Sequence, residues 1–511
     1  MHTLRTTSHT SSTIEERANI TPLNTVSARE ILQRIGGELV ELYPIDAPYA
    51  YVAIVKRENE LIYVPLEPPL SRTERQVLAR LKRILLEEFL PRAAEEVEGP
   101  EEEVLRRALR YAIRAYRITL PRYSLLKVAY YLKRDLIGYG KLHVLILDPE
   151  IEDISVPGVR KAVYVWHRRY ENLRTTIVIE SKEEIDRLLS RLATKGGKQI
   201  SAANPIVDST LPEGYRAHLV LGDVAASGGT ITIRKYRSVP YTILELVNLK
   251  ELDLDMAAYL WYLVENKKSI IIFGPTGAGK TTLLNAIAMF IRPEMKVLTI
   301  EETRELNLPH PHWVPLVTRE AAGAASQVTL YDLVKSSLRQ RPDYVIVGEI
   351  RGEEAYVFFQ AIATGHGGMT TMHAESVDAA VKRLTSPPMN VPLHHIPLVD
   401  AFIHVERVRI RGRITRRVLE ITEVVGIEDN QPVFNTVFRW TGEATDTFEK
   451  SAKSVVLDRI ASVRGVPIEM VEREVAERKA LLAEMLERDI RDYESLAKMI
   501  REFYMRTYGY T

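Results

Sequence analysis

The 511-residue chain contains no cysteine. Disulfides, thiolate nucleophiles and cysteine-ligated zinc are therefore excluded. No sign of charge dominates either. Lys and Arg number 69 against 68 Asp and Glu, a formal net charge of +1, so no global field draws the protein onto nucleic acid or lipid. A basic, aromatic-studded strand path of the kind that holds single-stranded nucleic acid is not evident, and no nucleic-acid partner is expected. No run reaches the ~18 apolar residues of a membrane span. The opening MHTLRTTSHTSSTIEERANI lacks the apolar core of a signal peptide. The expectation is a cytoplasmic protein that meets a membrane only through its surface or a partner.

Apolar residues are plentiful, at 46% of the chain, and the length suggests about three domains. Residues 1–30 read as a flexible polar tail. Residues 31–140 read as a mainly helical domain. YAYVAIVKRENELIYVPL forms two strands about a polar turn at Arg57 to Glu60, and Ser71-x-x-Glu74 is a capping box before Val77, Leu78, Leu81, Ile84 and Leu85 at helical spacing. Residues 141–236 mix strands (EDISVPG, KAVYVWHRRYENL, YRAHLVL, GTITIRKY) with one helix ending at Gly196-Gly197, a small α/β module. Residues 237–245, around Val239-Pro240, read as a linker, because the residue before a proline is held out of helical geometry. Residues 246–440 alternate strands and helices, which predicts a mostly parallel sheet. Residues 441–511 are helical and charged, and read as a cap on that core.

The strongest signal is SIIIFGPTGAGKTTLL. Gly274-x-x-x-x-Gly279-Lys280-Thr281 fits a phosphate-binding loop, with a buried strand before it and a helix after it. Its glycines let backbone N–H groups of Gly274, Pro275-Thr276, Gly277, Ala278 and Gly279 turn inward, with Lys280, Thr281 and Thr282 opening the helix whose dipole adds to the field (Pro275 itself has no N–H to offer). Lys280 reaches the β- and γ-phosphates of ATP, and Thr281 ligates Mg²⁺. Hydrolysis also needs carboxylates near the metal and the attacking water. DYVIVGEIRG places Glu349 at one strand tip, and KVLTIEETREL places Glu301 and Glu302 at another, where the phosphates of such folds lie. His366 and His373 in ATGHGGMTTMHAES lack a third ligand at zinc spacing. A γ-phosphate sensor or nucleotide-state switch fits them better.

Together, and in this order, GPTGAGKTT, TIEETREL, RQRPDYVIVGEIRG and TGHGGMTTMHAES resemble the P-loop, aspartate box, acidic strand and histidine box of the type II/type IV secretion ATPase superfamily. Upstream, LIGYGKLHVLILDPEIEDISVPG, PIVDSTLPEGYRAHL, GTITIRK and HWVPLVTRE resemble its archaeal branch, so that the likeness spans roughly residues 40–505. The resemblance implies an α/β fold with a RecA-like P-loop ATPase core, a helical N-terminal domain, a PAS-like α/β module and a helical C-terminal tail. It implies a homohexameric motor for a type IV pilus-like filament, an archaellum or a secretion system. Such a motor works on a polytopic membrane platform protein at the inner face of the membrane, with an anionic lipid surface as a further candidate partner. Glu301 is then the base that aligns water, and Glu349 the metal-side acid. His366 and His373 couple nucleotide state to motion, Arg216 and Arg234 match arginines of the N-terminal module that approach phosphates, and Arg339 and Arg341 match arginines of the ATPase core. Two features depart from the pattern: the box reads Glu301-Glu302 rather than Glu-Asp, and the four-cysteine zinc element of bacterial members is absent, so no zinc is expected.

Overall fold

In a computed structural model, residues 36–89, 100–236, 239–319 and 327–509 are described. The expected tail over residues 1–30 lies outside them. The chain divides into two compact units, Met1–Arg237 and Ser238–Thr511.

The first unit is built on a nine-stranded sheet. An antiparallel meander of β1 (Glu38–Asp46), β2 (Ala50–Arg57) and β3 (Glu60–Leu66) leads into three helices, α1 (Arg72–Ile84), α2 (Glu101–Ala115) and α3 (Arg122–Leu136). The Ser71–Glu74 capping box starts α1, and the three helices share a small core around Leu81, Leu105, Ala112 and Leu132. Then come β4 (Ile151–Val156), β5 (Ala162–His167), β6 (Glu171–Val178), α4 (Lys182–Lys195), β7 (Ile206–Thr210), β8 (Arg216–Leu221) and β9 (Gly229–Arg234). The strand order is β1-β2-β3-β6-β5-β4-β9-β8-β7. The expected boundary at residue 140 therefore does not separate two bodies. Ile62 and Tyr63 of β3 pair in parallel with Arg174 and Thr175 of β6. The seam is locked by a buried carboxylate: Tyr43 and Tyr63 hydroxyls donate to Asp148 Oδ2 at 2.8 and 2.7 Å.

The second unit opens with a short helix, Ile243–Asn248, and α5 (Leu254–Glu265), whose residues from Met256 to Glu265 are all buried. There follow β10 (Ile270–Phe273), α6 (Lys280–Ala288), β11 (Val297–Glu301), β12 (Trp313–Val317), α7 (Leu330–Ser337), β13 (Tyr344–Val347), α8 (Glu354–Ala363), β14 (Gly367–Met372) and α9 (Val377–Thr385). The antiparallel strands β15 (Ala401–Ile410), β16 (Arg413–Glu428), β17 (Gln431–Trp440) and β18 (Phe448–Lys450) extend the sheet, and α10 (Val455–Arg464), α11 (Ile468–Glu487) and α12 (Tyr493–Tyr508) close the chain. The sheet order is β12-β11-β13-β14-β10-β15-β16-β17-β18, parallel from β12 through β15. Both faces are covered, as parallel sheets require. Ile270 and Ile272 point into one core with α5 and the C-terminal helices, and Ile271 and Phe273 into the other with α7, α8 and α9.

The C-terminal helices belong to this core. Trp261 on α5 stacks on Phe290 and donates to Tyr504 on α12 at 2.8 Å, and the Tyr504 hydroxyl donates to Phe290 O at 2.7 Å. Among the described residues no helix is long and apolar enough to cross a membrane.

Candidate nucleotide site

Register brings the site together. In the parallel sheet Phe273 pairs with Met372, and Ile300 pairs with Val347. The residues that follow these four, Gly274, His373, Glu301 and Gly348-Glu349, therefore emerge side by side at one carboxyl edge. Strand β11 follows β10 in the chain but lies beyond β13 and β14, so the crevice opens where an open α/β sheet binds its ligand.

The loop after β10 turns on three glycines with positive φ, Gly274 (152°), Gly277 (74°) and Gly279 (99°). A Cβ at Gly274 would lie 2.0 Å from Val405 O, so only glycine lets the loop run against β15. Pro275, Thr276 and Gly277 form an exposed crest, and Ala278 tucks inward. Helix α6 starts at Lys280 with Gly279 as N-cap and no side-chain cap, leaving its first N–H groups in the arrangement that holds anions. Thr281 and Thr282 are half-buried in its first turn. Lys280 Nζ donates to Gly274 O at 3.1 Å and Pro275 O at 2.9 Å, and lies 3.2 Å from His373 Nδ1. Burial lowers its pKa to about 8, against the opposing pull of Glu349 and Glu305.

Glu301 is the last residue of β11 and is 4% exposed. Its Oε1 accepts from Glu305 N at 2.9 Å and Leu306 N at 3.0 Å, while the buried Oε2 has no hydrogen-bond partner. Burial pushes the carboxyl up to about 7, against the two N–H donors. Gly348 makes room for it, since a Cβ there would lie 3.1 Å from Glu301 Cγ. The turn that supplies the donors is tied to α6, where Asn285 Oδ1 accepts from Asn307 N at 3.1 Å. Glu349 Oε1 lies 3.2 Å from His373 Nε2, and Thr371 Oγ1 donates to Gly348 O at 2.8 Å, fixing that strand tip. Glu302 turns away and pairs with Arg351.

Other expected residues lie elsewhere. Arg339 and Arg341 precede β13, and His366 precedes β14, so all three stand at the amino edge of the sheet, away from the loop. His366 Nδ1 is taken up locally, 2.9 Å from Ala361 O and from Thr364 Oγ1. His366 and His373, both expected to couple nucleotide state to motion, stand at opposite ends of β14, on the order of 20 Å apart. Arg216 and Arg234, in the first unit, are direct cross-strand partners on β8 and β9. Asp208 at 3.7 Å and Asp153 at 3.4 Å relieve their repulsion.

Sequence reasoning missed three residues beside the loop. Glu251 and the cross-strand pair Arg407 and Arg416 converge on Gly277 and Gly279. Glu251 lies in NLKELDLD and Arg416 in RGRITRRVLE, which read locally as a polar turn and a basic hairpin, so no local signal marks them.

A P-loop at the head of β10, a buried acid at the tip of β11 and a second acid at the end of β13 are the parts of a nucleotide-handling RecA-like core. The type II/IV secretion system protein family matches residues 143–396, a span that holds Arg216, Arg234, the phosphate loop, Glu301, Glu349 and His373. The type IV secretion system protein PtlH of Bordetella pertussis is 32% identical over 285 residues, covering 49% of this chain and 82% of that one. An uncharacterized protein of Methanocaldococcus jannaschii is 36% identical over 490 residues, covering 91% of this chain and 88% of that one. Among solved structures, the ATPase DotB of Legionella pneumophila is 18% identical with a TM-score of 0.40, covering 68% of this chain and 91% of that one. The chain belongs to the type II/IV secretion system protein family.

Proposed function

We propose that this protein is an ATP-hydrolysing motor, active as a homohexamer, that drives assembly or rotation of a type IV pilus-like filament or archaellum, or type II-like secretion, through a polytopic membrane platform protein. The observation that carries the reading is Glu301: a buried strand-tip carboxylate at the same carboxyl edge as the phosphate loop, with one oxygen held by backbone N–H groups and the other unpartnered. A buried acceptor without a partner is costly, and a water at Oε2 would satisfy it.

The glycine cradle and the uncapped start of α6 fit a nucleoside triphosphate. Bound MgATP would supply the phosphoanhydride and the metal's charge. Lys280 would exchange the Gly274 and Pro275 carbonyls for β- and γ-phosphate oxygens. Thr281 and Glu349 would hold Mg²⁺. Among the described residues no group of three or more His, Asp or Glu could hold a metal ion alone, which suits an ion that shares its shell with phosphate and water. Glu301 Oε2 would orient the attacking water and accept its proton, an exchange suited to a carboxyl near 7. Arg216 and Arg234 would complete the site of a neighbouring subunit.

The test is steady-state ATP hydrolysis at about 0.15 M salt. Glu301→Gln is expected to bind ATP and lose ~10³ in rate, about 4 kcal/mol of transition-state stabilisation. Anionic vesicles or the cytoplasmic loops of a platform protein are expected to stimulate the wild type, by binding one state of the motor preferentially, and DNA is not. Near wild-type turnover in Glu301→Gln would remove its role as base. Saturable stimulation by DNA alone would replace the filament motor with a nucleic-acid motor.

A further inference from the structure

The phosphate loop is gripped from a side that Glu301, Glu349 and His373 do not occupy. Arg407 on β15 and Arg416 on β16 are direct cross-strand partners. Arg416 Nε donates to Gly277 O at 3.3 Å, and a Cβ at Gly277 would lie 3.6 Å from Arg407 Nη1. Both arginines lie beyond residue 396, where the family match ends. The next residue, Arg417, is committed elsewhere, to Asp446 through two bonds of 2.8 and 2.9 Å.

On the same flank, Glu251 is 3% exposed and its Oε1 has no hydrogen-bond partner. Its backbone is pinned to β16, since Val418 N donates to Glu251 O at 2.7 Å and Arg417 Nη1 to Leu249 O at 3.3 Å. Its side chain points at the loop. A Cβ at Gly279 would lie 3.3 Å from Glu251 Oε1 and 2.9 Å from Arg416 Cδ. Burial pushes the Glu251 carboxyl up to about 7, against the charges of Arg416 and Arg417, the charged groups that face it.

Peptide geometry gives this grip a purpose. In a trans peptide the carbonyl of one residue and the N–H of the next point in opposite directions. Arg416 draws the Gly277 carbonyl outward, so the Ala278 N–H must face into the loop, where it now donates to Pro275 O at 3.3 Å. An inward N–H at this position is what a phosphate-binding loop offers a phosphate oxygen.

The geometry points to Arg416 as a positioning residue that pre-orients the Gly277–Ala278 peptide for phosphate, with Glu251 acting through Arg416 as its buried counter-charge. This rests on the nucleotide site proposed above, not on hydrolysis or on the motor. The antiparallel extension of the sheet thereby becomes part of nucleotide recognition.

The experiment measures binding of a fluorescent ATP analogue to the full chain at pH 8, where Glu251 is ionised, and the KM and kcat for ATP. Loss of a charge-assisted hydrogen bond predicts that Arg416→Ala raises Kd and KM about tenfold with kcat at saturation within about threefold. Arg416→Lys, which keeps the charge, is expected to recover part of the affinity. Glu251→Gln is expected to weaken binding in the wild-type background and to have no effect when Arg416 is already Ala, the signature of action through one partner. Arg416→Ala with unchanged Kd and KM overturns the assignment. So does a Glu251→Gln effect of equal size in both backgrounds, or tighter binding in Glu251→Gln. If Arg416→Ala does not fold, Arg416→Lys and Glu251→Gln carry the same test, because an unchanged affinity in both refutes it. A chain that binds the analogue but does not hydrolyse ATP fails the motor reading and still decides this one.

Discussion

Lys280 Nζ and His373 Nδ1 lie 3.2 Å apart, and that closeness fixes the protonation of the ring. An ammonium has only donors, so Nδ1 must accept and the ring proton must sit on Nε2, which lies 3.2 Å from Glu349 Oε1. Burial, and then the charge of Lys280, lower the imidazole's pKa and keep it neutral. One ring thus joins the phosphate-loop lysine to the acid at the tip of β13.

His373→Ala is expected to cut ATP turnover by about 10- to 100-fold, the usual effect of losing the partner that orients a metal-side carboxylate, with much less effect on nucleotide affinity. His366→Ala, at the other end of β14, is expected to leave affinity unchanged. Turnover and the Kd of a fluorescent ATP analogue, measured in parallel, separate the two histidines.

Glu301 predicts a pH dependence of stability in the nucleotide-free protein. Its carboxyl titrates near 7 when folded against an ordinary 4.5. Between those values the folded state holds more protons than the unfolded, so stability falls as pH rises through the window. A displacement of that size corresponds to at most about 3 kcal/mol, fully lost above pH 7. Glu251, raised to about 7 by burial as well, adds to the same slope. Thermal midpoints between pH 5 and pH 8 are expected to decline in the wild type and to flatten in Glu301→Gln, which is the more stable protein at pH 8. An equal slope in both would place Glu301 in a wetter setting.

A buried ion pair also joins α5 to α11. Arg478 Nε and Nη2 donate to the two oxygens of Glu265 at 2.7 and 2.6 Å, with side chains 1% and 2% exposed. The guanidinium also lies 5.0 Å from each of the Tyr262 and Phe503 ring centroids. Arg478→Ala removes the charge partner of a buried carboxylate, leaving it the Tyr508 hydroxyl, and is expected to cost about 3–5 kcal/mol. Arg478→Met combined with Glu265→Leu is expected to recover most of it. Denaturant midpoints of the second unit's transition decide.

The role proposed for the first unit's arginines has its own test. Arg234→Ala and Glu301→Gln are each expected to be inactive alone, with nucleotide binding retained. Rings mixed from the two variants are expected to regain activity, because some interfaces then combine an intact arginine with an intact base. Silence at every mixing ratio, in rings shown to be mixed, would put Arg234 outside the neighbour's site.

What the sequence makes legible here is what local order determines. GPTGAGKTT between an apolar strand and a helix could fold in few other ways, and Glu301 and Glu349 stand directly after buried strands, so their place at the carboxyl edge follows from strand direction. The same rule, applied to RQRPDYVIV and to GHGGMTTM, puts Arg339, Arg341 and His366 before their strands and hence at the opposite edge. Non-local pairing was not legible. Nothing in ELIYVPL says that β3 joins β6, and nothing in NLKELDLD says that Glu251 lies under Gly279. Both depend on contacts between segments far apart in the chain.

Strand β14 is buried along its whole length and paired with β10 on one side and β13 on the other. It cannot slip by one residue without turning every side chain to the wrong face, and its two ladders prevent it from stretching. It spans the sheet in its own plane from edge to edge, with His373 at the phosphate end and His366 at the far end. Whatever moves His373 along the strand axis must carry His366 by the same amount, together with the strands bonded to it. Any such displacement would reach the opposite rim, where Arg341 and Asp343 stand.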